Sequence, residues 1–424
     1  MPDSQPQPQP PSNPPGSPGT PGPSGPAALL LCGARLTDGR TVDVRLGGGR
    51  IEAVGTAGSL APGESRTGLT RVDLSGYLLL PAPAEPHAHG DTALSAEHPG
   101  PVSYAPEDVQ RRATQAALLQ LGLGATAVRA HVRVGDVQGL GALGAVLRAR
   151  RSLRGLAELT TVAMPRLLTG VAGADGLAML RDAVKMGASV VGGCPDLDPD
   201  PTGYVEAVLE VASEHGCPVD LHTDAADPAR LARLAAMAGG LRPGVTIGPC
   251  AGLARLPAQV ASRAADRLAA AGVTVVCLPQ GTCGGAGRRG TAPVRLLRAA
   301  GVRVTAGGGA LRDISNPVGR GDPLEAAYLL ASVHGLRPED AYDAVSSSAR
   351  AALGLPQVRV EAGFPAELLA VRGDRLAGAL SLAYSRIVVH RGRVVARTSA
   401  VREYCHPTGT GEPGLPRQGR GELS

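Results

Sequence analysis

Eight apolar, strand-like runs recur between residues 77 and 309, with Ala/Leu-rich helical stretches between them. The runs are 77–83, 125–132, 159–165, 188–195, 217–224, 244–249, 272–279 and 301–309. Segments of helical pattern such as 105–122, 202–216 and 257–272 separate them. Parallel strands need crossovers of about this length, usually helical. Eight such units in succession predict an α/β chain folded as a (β/α)8 barrel of the TIM type. Several runs end in Gly, Pro, His or Asp, and in such barrels the C-terminal strand ends carry the active site.

The ends of the chain read differently. Residues 27–55 hold short apolar strands separated by Asp-Gly and Gly-Gly turns, and β-branched strands return at 366–373 and 385–398. These predict one small β domain, a β-sandwich built from both chain ends (27–80 and 356–402), around a barrel over 81–355. Residues 1–26 carry eleven Pro and nothing that can form a core, so they read as a disordered arm. Residues 403–424 read as a free tail.

The net charge is +5, and nearly all the positive charge is Arg, with Lys185 the one lysine. The Arg residues are scattered. Aromatics are 2 %, with no Trp and with Phe364 the one Phe. A nucleic-acid partner needs a basic stripe or stacking platforms, and neither is present. Seven dispersed Cys without a CxxC pair predict reduced thiols and a cytoplasmic protein. No apolar run reaches the roughly 18 residues of a membrane span, so no membrane partner is expected. The N-terminus has no basic and apolar signal pattern.

The sharpest chemical feature is Glu85-Pro86-His87-Ala88-His89-Gly90-Asp91. On an extended strand, residues two apart face the same side, so His87 and His89 can grip one metal ion. His222 ends another run, in 220–227. It is a candidate third ligand. Three His can hold a catalytic zinc and leave one position for water.

With those residues in view, the chain resembles the cytosine deaminase branch of the amidohydrolase superfamily. The stretches that carry the resemblance are 85–94, 124–132, 190–195, 220–224, 288–309 and 311–327, with 348–355 and 385–395 near the end. It covers about residues 28–400. It implies a distorted (β/α)8 barrel with a small β domain from both chain ends, and a divalent zinc or iron held by His87, His89 and His222. It also implies metal-dependent hydrolysis of C–N bonds in cyclic amidines or amides.

Four positions depart from the family pattern. Ala225 stands where the family has a proton-shuttling Glu, and Pro249 where it has a His. Gly309 stands where it has a metal-binding, catalytic Asp, and Arg166 where it has a Gln that reads the pyrimidine edge. Ala, Pro and Gly have no titratable side chain. Losing one acid–base group costs about 10²–10⁴ in rate, and cooperating groups fail as a unit. The expectation is therefore a catalytically degenerate relative, with the metal itself open to loss. The alternative is an active hydrolase of a different, anionic substrate that uses the three-His site.

Asp224, one residue before the lost Glu, is the candidate catalytic replacement. Asp91, Cys250 and Asp313 read as capping or solvated carboxylates and a buried thiol. Arg166 either meets an anionic heterocycle at the barrel mouth or turns to solvent. A homo-oligomer, or a hetero-oligomer with an active relative, completes the expectation.

Overall fold

A computed structural model of the chain describes residues 28–60, 69–97, 100–135, 138–281, 290–382 and 384–400. The arm over 1–26 and the tail over 403–424 lie outside the described residues.

Five strands open the chain: β1 (Leu29–Arg35), β2 (Thr41–Gly47), β3 (Arg50–Thr56), β4 (Thr70–Asp73) and β5 (Tyr77–Pro81). Eight follow: β6 (Ala84–His89), β7 (Ala127–Val134), β8 (Glu158–Pro165), β9 (Val190–Gly193), β10 (Val219–Thr223), β11 (Val245–Pro249), β12 (Thr274–Cys277) and β13 (Arg303–Ala306). Three close it: β14 (Leu368–Arg372), β15 (Arg386–His390) and β16 (Arg393–Thr398).

β6 to β13 pair in sequence order, all parallel, with helices between most of them. The seam between last and first strand is closed just past β13, where Gly309 N donates to His87 O at 3.0 Å. Three helices on the C-terminal face begin alike. Asp200, Asp227 and Asp322 each accept backbone N–H groups at the N-cap, and each is followed by Pro at the first helical position.

The remaining strands form a separate mixed sheet in the order β16-β15-β14-β5-β1-β2-β3, with β4 on β1. The two chain ends meet where β14 runs antiparallel to β5, Leu368 opposite Pro81 and Arg372 opposite Tyr77.

One strand differs from the sequence reading. The run 77–83 supplies β5 of this end-built sheet, and the first barrel strand is the His-bearing segment itself. Leu78 and Leu80 pack into the barrel core, whereas Leu79 packs into the core of the end-built sheet. Burial on both faces gives the continuous apolar run that imitates a barrel strand. β6 hides from the pattern because its inward side chains are Glu85, His87 and His89.

A polar cluster sits between β14 and β15 of this sheet and reaches Thr126 just before β7. His390 Nδ1 lies 2.9 Å from Glu367 Oε2, and Arg391 N donates to Glu367 Oε1 at 3.0 Å. Burial raises the Glu367 carboxyl, but His390, Thr126 and the Arg391 amide outweigh it and hold it below the usual range. A depressed carboxyl stabilises the fold above its unfolded value and loses that contribution as pH falls through the folded one. Glu367→Gln is therefore expected to lower stability near about pH 7. The gap from wild type should shrink below about pH 4, as urea melts at the two conditions would show.

Candidate metal centre

Four imidazoles converge inside the barrel. His87 and His89 come from β6, His131 from β7 and His222 from β10. Ring centroids lie 4.0 Å apart for His87 and His131, 5.1 Å for His87 and His222, and 5.2 Å for His87 and His89. His89 stands 5.8 Å from both His131 and His222. The candidate ligand atoms of His87, His89 and His222 all lie within 4.8 Å of one another.

Buried polar atoms normally find partners. Both ring nitrogens of His87, and Nε2 of His89, are buried without a hydrogen-bond partner among the described residues. Desolvation, reinforced by the neighbouring rings, pushes His87 well below the ordinary imidazole range, His89 to about 4 and His222 to about 3. All three are therefore neutral near pH 7, the form that binds metal. The orphaned nitrogens of His87 and His89, with the neutral ring of His222 beside them, fit a divalent cation.

Below the rings lies a charged layer that sequence reasoning missed. Arg129 donates to Asp220 Oδ2 at 2.8 Å and to Ala352 O at 2.7 Å. His131 Nε2 stands 3.3 Å from the other Asp220 oxygen. All three side chains are essentially inaccessible to solvent. Burial raises the Asp220 carboxyl, but His131 and Arg129 together outweigh it and hold it low. The signal for this layer was the two-residue spacing of Arg129 and His131 and of Asp220 and His222. It gives a shared face within each strand but says nothing about which strands meet across the barrel.

Glu85 is the other missed group. It accepts from His87 N at 2.9 Å and from Gly308 N at 2.8 Å, which ties the first strand to the loop after the last. Burial pushes its carboxyl up to about 8. The approach needs glycine: a Cβ on Gly307 would lie 2.5 Å from Glu85 Oε1, and one on Gly308 2.8 Å from Gly321 Cα.

The other sequence candidates lie around this core. Asp224 is half-buried and ion-paired with Arg255, and its own backbone N–H donates to Asp196 at 2.9 Å. Arg166 is exposed just past β8. Asp91 is buried and pairs with Arg133 at 2.8 Å. Asp313 is buried and accepts from Thr92 Oγ1 and Ser315 N, each at 2.8 Å. The buried Cys250 thiol is pushed well up by desolvation, which keeps it protonated. Ala225, Pro249 and Gly309 stand at the C-terminal ends of β10, β11 and β13 and bring no titratable group there.

Comparison with known proteins agrees with this geometry. Residues 103–396 match the model described as Amidohydrolase family. The chain is 31% identical over 240 residues to Pterin deaminase of Rhizobium rhizogenes, covering 52% of this chain and 54% of that protein. It therefore spans about half the length of that curated relative. Among solved structures it is similar to N-isopropylammelide isopropylaminohydrolase from Burkholderia multivorans. There the TM-score is 0.78 and the identity 27%, over 88% of this chain and 100% of that one. It is also similar to 5-methylcytosine deaminase from Klebsiella pneumoniae, with TM-score 0.77 and 25% identity over 90% of this chain and 100% of that one. Among the described residues, no helix is long and apolar enough to cross a membrane.

Proposed function

The chain belongs to the amidohydrolase family, and on that premise we propose that it is a small-molecule-binding barrel that keeps the family's cation and has lost its deamination chemistry. The observation that carries this reading is a contrast within one site. His87, His89 and His222 converge, with orphaned nitrogens on His87 and His89, while positions 225, 249 and 309 hold Ala, Pro and Gly.

His87, His89 and His222 would hold one divalent zinc or iron. Such an ion, when bound, supplies a water acidified to near neutrality. Deamination also needs a side chain that carries a proton from that water to the ring nitrogen and on to the leaving amine. Ala225 and Gly309 can move no proton, and Pro249 can donate no hydrogen bond. Asp224 is the nearest carboxylate in sequence to the lost Glu, and its pairing with Arg255 turns it to another task.

A second reading is an active hydrolase of a different substrate, favoured by the retained imidazoles themselves. In it Asp224 leaves Arg255 to serve as the base, and Arg166 meets an anionic heterocycle. In both readings the protein works in the cytoplasm. Assembly with itself or with an active relative accompanies the degenerate one.

Metal content by plasma mass spectrometry, with ammonia release from cytosine, 5-methylcytosine and pterin, tests the proposal. The expected result is about one zinc or iron per chain, lost in His87→Ala, with no ammonia above a metal-only blank. Turnover at the ordinary enzymatic scale of about 1 s⁻¹ or more would overturn the degeneracy. A metal-free wild type would overturn the cation.

A further inference from the structure

The three-His reading leaves His131 unused, although its ring lies nearer to His87 than that of either other imidazole. His87 belongs to two groupings whose candidate ligand atoms fall within 4.8 Å: one with His89 and His222, the other with His131 and Asp220. His87 is the member common to both, while neither grouping holds His131 together with His89 or His222, so a shared cation requires the four rings to draw in around His87. We propose that His131 is a fourth imidazole ligand of this site, and that Asp220 is the group that positions it.

Three observations support the assignment. The first is that His131 is completely buried and its Nδ1 has no hydrogen-bond partner among the described residues. A core histidine kept for packing alone would normally satisfy that atom.

The second is its backing. A metal-ligating His characteristically gives its other ring nitrogen to a carboxylate, which fixes tautomer and orientation. His131 Nε2 faces Asp220 Oδ1 at 3.3 Å, a contact that falls short of a hydrogen bond, and Nδ1 has no carboxylate facing it among the described residues. Asp220 is held in turn by Arg129 at 2.8 Å. That contact also assigns the roles: with a guanidinium already on its other oxygen, Asp220 suits the outer shell better than direct contact with a second positive charge.

The third is the gap. Gly309 brings no side chain to the seam beside His87, where its N–H donates to His87 O. An imidazole from β7 supplies a donor that the loop after β13 does not.

The inference rests on the cation-binding reading above, and its test separates the two. X-ray absorption on the zinc-loaded wild-type chain counts imidazole ligands without any mutation. Zinc affinity, by chelator competition, is then compared for wild type, His87→Ala and His131→Phe, which keeps a ring in the stack and removes both nitrogens. We expect a four-imidazole shell in wild type and zinc binding weakened about 10–100-fold or more in His131→Phe, the range that even outer-shell losses produce. A three-imidazole shell overturns the assignment and leaves the cation in place, as does a folded His131→Phe that binds zinc as wild type does. No zinc in the wild type overturns the cation reading itself. If His131→Phe does not fold, the wild-type ligand count decides alone.

Discussion

Asp220→Ala is expected to destabilise the protein by about 3–5 kcal/mol, the scale of removing one partner of a buried ion pair. The loss comes less from the attraction forfeited than from the charge left behind. Arg129 is 2 % exposed and stays protonated in any environment a protein offers. Among the described residues its remaining hydrogen-bond partner is Ala352 O, a neutral acceptor that cannot balance a guanidinium in the barrel interior. His131 loses its carboxylate at the same time. Urea unfolding, read as a fall in midpoint at unchanged slope, measures the effect. The double variant Arg129→Met/Asp220→Ala separates the explanations. If the orphaned charge is the cause, removing it recovers much of the loss, because apolar replacement of a whole buried pair is often close to neutral. If both changes simply add, the ion pair is not what holds this layer.

The architecture was legible because it repeats. Eight alternations of apolar run and helical stretch leave few topologies open, and the strand-rich ends announced a second sheet. The single displaced strand has a physical cause in β5, whose Leu78, Leu79 and Leu80 serve two cores at once. That burial pattern is indistinguishable in sequence from a barrel strand.

The metal centre was legible only where its information is local. His87 and His89 announce each other at two-residue spacing on one strand, and His222 is marked by its place at a strand end. His131 sits in the middle of an apolar run, in Ala-Val-Arg-Ala-His-Val (127–132). What makes it notable is the parallel register that sets it beside His89 and the charge supplied from Asp220, 89 residues later. Glu85 is of the same kind, since its partner Gly308 lies 223 residues away. Proximity to a lost residue is what marks Asp224 in the sequence, but its engagement with Arg255 is a property of the fold.

Arg386→Ala is the second large effect, again about 3–5 kcal/mol by the same reasoning for a buried pair, but with a different consequence. Arg386 belongs to β15 of the end-built sheet, yet its guanidinium grips Asp322 with two bonds, 2.8 Å and 2.6 Å, and also donates to Leu123 O. Its side chain is 4 % exposed. Asp322 is itself the N-cap of helix Pro323–Ser332, accepting from Leu324 N at 2.9 Å, and its carbonyl accepts from the Gln280 side chain. One residue, through its carboxylate and its carbonyl, thus ties the second sheet, the loop after β13 and the loop after β12 together. Removing Arg386 leaves the Asp322 carboxylate with the cap as its remaining hydrogen bond among the described residues and loosens the sheet from the rim that carries Gly307, Gly308 and Gly309. Thermal unfolding should fall, and hydrogen exchange should rise first in the segment 307–322 rather than uniformly. Arg386→Lys should recover only part of the loss, because an ammonium cannot reproduce a two-bond grip on a carboxylate. Full recovery by Lys would mean that charge alone matters there, and exchange confined to β15 would mean that the sheet does not brace the rim.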